Sequence, residues 1–241
     1  MTDLKNRVAI VTGASSGIGE GLAKMLAAEG VKVALAARRE QELERVAAEI
    51  RSSGGTAVVI PANMREETHL VNVIERTQAE LGPIDILVNN AGVARNQPMH
   101  AMTMKYWDLI MAINLRAPVF LCSQVLPGMR ERRRGFIINI ASEAGVAVYP
   151  GMGAYAVSKH ALRVATELIQ AENQDRGLKA WAICPGMVDT PMGADMPNGH
   201  AQNFLKVEEV VDVVRFLLKQ GANVKLGPEI LIRTMRDPFK Q

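Results

Sequence analysis

Seven short apolar runs, rich in Val, Ile and Leu, punctuate this chain at residues 8–11, 31–36, 57–60, 84–88, 136–140, 180–183 and 229–232. Between them lie longer amphipathic stretches: one from a glycine-rich turn to residue 29, then 40–52, 66–81, 104–129, 153–174 and 207–219. A strand that is apolar along its whole length must be covered on both faces, and strands separated by helices in this way run parallel. The alternation therefore predicts an α/β fold. It is a doubly wound, Rossmann-type, seven-stranded parallel sheet with helices on both faces. No repeat or linker divides the chain, so residues 1–241 read as one domain with a sizeable core.

Two motifs point to chemistry. Thr12-Gly13-Ala14-Ser15-Ser16-Gly17-Ile18-Gly19 lies between the first strand and the first helix. Gly13, Gly17 and Gly19 let the backbone turn tightly and approach a pyrophosphate, while the helix N-terminus offers unpaired N–H groups. The spacing differs from the common Gly-x-Gly-x-x-Gly fingerprint. In the second motif, Tyr155 and Lys159 stand four residues apart in a helical stretch and so share one face. A cation beside a phenol favours the phenolate, which predicts a lowered Tyr155 pKa and a group able to donate and accept a proton.

Together with Asn89-Asn90-Ala91-Gly92, Asn114, Ser142 and Pro185-Gly186, in that order along nearly the whole chain, these motifs resemble the short-chain dehydrogenase/reductase family. The resemblance implies a dinucleotide held by Gly13, Ser15, Ser16, Gly17, Ile18 and Gly19, by Asn90, Ala91 and Gly92, and by Tyr155 and Lys159. Pro185, Gly186, Val188 and Thr190 would frame its carboxamide end, with Thr190 as a cap of the next segment the alternative. Asn63 stands where the family commonly has an adenine-contacting aspartate. The implied catalytic set is Asn114, Ser142, Tyr155 and Lys159. Ser142 would bond the substrate carbonyl, Tyr155 would exchange the proton, Lys159 would bond the nicotinamide ribose, and Asn114 would position a water leading to solvent.

The second strand ends in Ala36-Ala37-Arg38-Arg39, with no acid to accept from a ribose 2′-hydroxyl. Arg38 is assigned to a 2′-phosphate, which makes the expected cofactor NADP(H), and Arg39 is read as a solvated loop cation. The expected reaction is hydride transfer between NADPH and a ketone or aldehyde, reversible with the alcohol. The C-terminal run Gly227-Pro228-Glu229-Ile230-Leu231-Ile232-Arg233-Thr234 is similar to that of NADP-dependent 3-hydroxy acid and broad carbonyl dehydrogenases. A 3-oxoacyl-(acyl-carrier-protein) reductase and a non-catalytic NADP-binding sensor are the alternatives.

Residues after Gly92, residues 143–152 and residues 187–204 should wall the small-molecule substrate site, with 190–205 as a lid loop. Met152, Met187, Met192 and Met196 suit an adaptable apolar wall, or alternatively filler at a dimer contact. Glu143 is read as a strand-end carboxylate facing water, with selection of a polar or cationic substrate as the other possibility. Arg95 is read as exposed, with an acidic substrate group as its alternative partner.

A net charge of +3 does not call for nucleic acid or membrane. The basic run 130–134 reads as a helix C-terminus facing water, with an acidic carrier protein as the alternative partner. Cys122 and Cys184 read as core residues, and His69, His100, His160 and His200 show no metal-ligand spacing. No apolar run is read as transmembrane and the N-terminus is polar, so the expected setting is cytoplasmic. The family resemblance implies a homo-oligomer, tetramer or dimer, with helices 104–129 and 153–174 available for packing.

Overall fold

The computed structural model describes residues 2–194, 199–235 and 238–239. Seven strands form its sheet: β1 (Val8–Thr12), β2 (Lys32–Ala37), β3 (Thr56–Pro61), β4 (Ile86–Asn89), β5 (Gly135–Ile140), β6 (Leu178–Pro185) and β7 (Glu229–Ile232). The helices are α1 (Gly17–Ala28), α2 (Glu40–Ser52), α3 (Glu67–Leu81), α4 (Met104–Met111), α5 (Ala117–Glu131), α6 (Gly153–Asn173), the four-residue α7 (Pro191–Ala194) and α8 (Val207–Leu218).

All neighbouring strands are parallel, in the order β3-β2-β1-β4-β5-β6-β7. The chain winds outward from β1 to β3, then resumes on the other side of β1 with β4. The loops after β1 and β4 therefore diverge, and they open a crevice at the C-terminal ends of the strands. Alternate residues of β1 feed opposite layers. Ala9 and Val11 join the core beneath α1, α2 and α8, whereas Val8 and Ile10 join the one beneath α3 and α5. Burial on both faces is the reason the strands read as unbroken apolar runs.

A buried polar chain ties α6 to the sheet. Asn89 donates to Asn139 at 2.8 Å, and Asn139 donates to Thr166 at 2.8 Å. Unpaired amides at this depth would be costly, so the chain also fixes how α6 seats on β4 and β5.

α4 and α5 are joined by a π-helical turn, Ala112–Arg116, with fully buried Asn114 at its centre. The whole run Met104–Glu131 has the length and apolarity to cross a membrane, which departs from the expectation that no stretch would. Its apolar face packs on the sheet instead, through Ala117, Leu121, Cys122, Val125 and Met129.

The basic run 130–134 ends α5 as expected, but its arginines are not simply solvated. Arg132 donates to the Ile84 carbonyl at 2.7 Å, and Arg134 pairs with the nearly buried Asp85 carboxylate at 2.9 Å. Arg130 reaches Asn173, and Arg133 the Asp175 carbonyl. Carbonyls and a carboxylate left at the strand starts give these cations partners better than water.

Candidate active site

Thr12, the last residue of β1, organises the crevice. Its hydroxyl accepts the N–H groups of Asn90 (3.0 Å) and Ala91 (3.1 Å), so the loop after β4 is pinned to the end of β1. The Asn90 amide returns two bonds, to the carbonyls of Thr12 (3.0 Å) and Gly13 (3.2 Å). A β-carbon on Gly19 would stand 2.3 Å from the Gly13 carbonyl oxygen. Only glycine lets the first turn of α1 approach its own loop so closely. Ser16 enters α1 in extended conformation with no side-chain bond to the helix, which leaves first-turn N–H groups without a capping side chain from this residue. These features fit a nucleotide pyrophosphate: a tight glycine turn beside first-turn N–H donors and a positive dipole end.

A cleft of about 820 Å³ runs from this loop along the C-terminal ends of the strands as far as the residues after β7. Gly13, Ser15, Ser16, Gly17 and Ile18 line it at one end, with Arg38, Arg39 and Asn63, while Gly19 supports the loop from behind. Asn90, Ala91 and Gly92 line its middle, and Pro185, Gly186, Val188 and Thr190 its far side. Arg39 is not the free loop cation expected. Its guanidinium donates to the hydroxyls of Ser15 (3.0 Å) and Ser16 (2.7 Å), because β2 ends beside the loop after β1. The Thr190 hydroxyl accepts the Gly193 N–H at 3.1 Å, so it caps α7, and its methyl group faces Gly17.

Asn114, Ser142, Tyr155 and Lys159 come from three different segments; Asn114 and Lys159 flank Gly92, and Ser142 bonds Tyr155. The side chain of Asn114 accepts from the Val93 N–H and donates to the Val93 carbonyl, both at 2.9 Å. It also donates to Ser158 at 3.2 Å. A π-turn in mid-helix turns this amide toward Val93 and Gly92, behind the cleft wall: unlike the other three, Asn114 is not among the lining residues. Ser142 leaves β5 with its hydroxyl accepting from Ala144, which starts a short 3₁₀ turn at Glu143–Gly145. That turn packs on α6 so closely that a β-carbon on Gly145 would lie 2.8 Å from the Lys159 carbonyl oxygen. The approach brings Ser142 beside Tyr155. Ser142, Tyr155 and Lys159 all line the cleft.

The electrostatics correct one expectation. Desolvation raises the Tyr155 pKa, and a hydrogen bond from Ser142 opposes it only in part. Lys159 is almost fully buried, and burial brings its ammonium down to about 8. Its Nζ donates to the Ile140 carbonyl at 2.8 Å and lies 5.7 Å from the Tyr155 ring centre. Helical spacing put the pair on one face, but the ammonium is directed to β5 rather than at the phenol oxygen, so desolvation outweighs their mutual attraction.

Glu143 departs from its reading as a solvent-facing carboxylate. It accepts from the Tyr149 hydroxyl and pairs with Arg233 at 2.7 Å, inside the cleft wall. Met152, Met187 and Met192 line the cleft as expected, whereas Met196, with residues 195–198 of the expected lid, lies outside the described residues. Arg95 is exposed and outside the lining. Arg233, Thr234 and Phe239 line the cleft without having been singled out. Only the pairing of β7 with β6 brings them there, and no local pattern encodes that neighbour.

Comparison with known proteins bears on the fold and the family. The family model described as "short chain dehydrogenase" matches residues 7–200. An uncharacterized oxidoreductase of Staphylococcus saprophyticus is 34% identical over 236 residues, which is 97% of this chain and 99% of the relative. A short chain dehydrogenase of Pseudocercospora fijiensis is 34% identical over 240 residues, 98% of this chain and 77% of the relative. Among solved structures, an alcohol dehydrogenase from the archaeon Thermococcus sibiricus, complexed with 5-hydroxy-NADP, superposes with a TM-score of 0.87 at 26% identity, covering 98% of both chains. A variant of the actinorhodin polyketide ketoreductase with NADPH gives 0.89 at 29% identity, covering 97% of this chain and 98% of that one.

Proposed function

This chain belongs to the short-chain dehydrogenase/reductase family of oxidoreductases, and from that premise we propose that it interconverts a carbonyl compound and its alcohol with NADP(H). One observation carries the reading. Ser142, Tyr155 and Lys159 converge on one wall of a cleft whose other end is a glycine-lined helix N-terminus.

The glycine loop, Asn90 and the Pro185–Thr190 segment hold the dinucleotide, which supplies the hydride when bound. Ser142 donates its hydroxyl to the substrate carbonyl and fixes it beside Tyr155. A raised pKa keeps the Tyr155 phenol protonated near neutral pH, the form that gives its proton to the oxygen as the carbonyl is reduced. Lys159 keeps a cation 5.7 Å from the ring centre, held there by the Ile140 carbonyl. Asn114 acts at one remove, by clamping Val93 and so the Gly92 backbone next to Lys159.

Preference for NADP(H) over NAD(H) is supported by Arg38 and Arg39 lining the loop end of the cleft and by the absence of an acid at 36–39. The cofactor forms bound by the two structural relatives point the same way. A carrier-bound acyl substrate docked on the 130–134 arginines is disfavoured by their place. They fasten the starts of β4 and β5, about 13–20 Å of strand away from the cleft rim.

We also propose that the chain self-associates through α5 and α6. Val119, Val157, Val164 and Leu168 are exposed there, and the three on α6 recur at helical spacing. Both cysteines are free and buried, which suits a reducing cytoplasm.

The test is a panel of ketones, aldehydes and keto acids read by NADPH absorbance, with Tyr155→Phe as control. Turnover should fall by about 10²–10⁴ in the variant while NADPH still binds. Near-normal turnover without the phenol would remove the assignment.

A further inference from the structure

The substrate end of the cleft holds one charged cluster among thioether and aromatic side chains. Glu143 sends Oε1 to both the Tyr149 hydroxyl and the Arg233 Nε. The guanidinium also reaches Tyr149, so the three side chains close on one another. Arg233 follows β7, and Glu143 lies in the turn just after β5. The cluster therefore spans β6 and looks across the cleft mouth.

We propose that Arg233 is a specificity residue that takes the carboxylate of a keto acid or hydroxy acid substrate, at the end of the molecule away from the reacting carbon. This rests on the hydride-transfer reading above. The bond to Glu143 uses Nε of the guanidinium, and of its five N–H donors some remain for a carboxylate after Glu143 and Tyr149 are served. Glu143 is itself held by Tyr149, so the arginine is oriented before a ligand arrives and loses little side-chain freedom on binding. Burial and the neighbouring carboxylate push the Tyr149 phenol up to about 12, which keeps it a donor to Glu143 across the working range.

The charge balance of the cleft favours an anion. Arg38 and Arg39 belong to the cofactor end; among the other described lining residues the charges are Lys159, Arg233 and a single carboxylate, Glu143, whose Oε1 already accepts two donors. Met152, Met187 and Met192 offer the apolar surface for the carbon chain between the two substrate ends. Arg95, the arginine the sequence offered for an acidic group, is not part of the lining.

The experiment compares kcat/KM for a keto acid and its methyl ester in the unaltered chain, Arg233→Gln and Arg233→Lys. The unaltered chain should prefer the acid by about 10-fold or more, the worth of one charge-assisted hydrogen bond. Arg233→Gln should bring the ratio toward one, mainly through KM for the acid, and Arg233→Lys should restore part of it. Equal use of acid and ester by the unaltered chain, or a ratio unmoved in Arg233→Gln, would overturn the assignment. Calorimetry on the NADPH-mixed protein supplies a readout without turnover. A saturated, non-reducible carboxylate should bind and its primary amide should not, and Arg233→Gln should abolish the difference. No such difference in the unaltered chain also overturns it. If neither carbonyl compound is turned over but the carboxylate still binds through Arg233, the hydride-transfer reading fails and the carboxylate site stands.

Discussion

Lys159 holds its ammonium 5.7 Å from the centre of the Tyr155 ring while bonding the Ile140 carbonyl at 2.8 Å. Lys159 thus depends on β5, and both side chains are shifted by burial toward their neutral forms.

Stability should show this directly. Lys159 titrates at about 8 when folded and near 10.4 when unfolded, so the unfolded chain binds more protons between these values. The folded state is therefore penalised below pH 8, and the penalty, about 3 kcal/mol, lifts as pH rises to about 10.5. Lys159→Met should lack this slope and be the more stable protein at pH 7, while losing turnover. Urea denaturation of both proteins at pH 7 and pH 10 checks it. Parallel pH dependences would show that the ammonium is not desolvated.

Arg39 should matter to the cofactor as much as Arg38 does. Replacing either with Ala should raise KM for NADPH about 10-fold or more and leave KM for NADH nearly unchanged, since only the 2′-phosphate carries the extra charge. Steady-state assays with both cofactors decide it. A variant that weakens NADPH and NADH equally would assign that arginine to the loop serines alone.

Asn114→Ala should destabilise the chain by about 1–3 kcal/mol, because it removes the partner of the half-buried N–H and carbonyl of Val93 and a buried bond to Ser158. Asn114→Asp keeps an acceptor for the Val93 N–H and should recover part of that loss. Chemical denaturation measures both. A cost below about 0.5 kcal/mol, the level of an ordinary surface change, would mean the clamp carries little load.

Leu168→Lys should convert an assembly into monomers, visible by light scattering, with secondary structure intact. An unchanged mass would place the contact elsewhere.

The sheet was legible because each strand is buried on both faces and each helix on one, so both periods are written locally. The glycine loop and the Tyr155–Lys159 spacing were equally local. What escaped was side-chain direction and non-local neighbours. Helical spacing placed Lys159 beside Tyr155 but could not say that its ammonium turns to Ile140. Arg39 meets Ser15 only because β2 lies next to β1, and Glu143 meets Arg233 only because β7 lies two places from β5. Sheet order decides these contacts, and no stretch of sequence contains it.

Arg132 and Arg134 fasten the chain where β4 and β5 begin, while every group of the cleft stands where strands finish. The molecule thus keeps its anchors and its chemistry on opposite rims. An engineer seeking heat tolerance would work on the anchored rim, and one seeking a new substrate would work on the other, with little interference between the two.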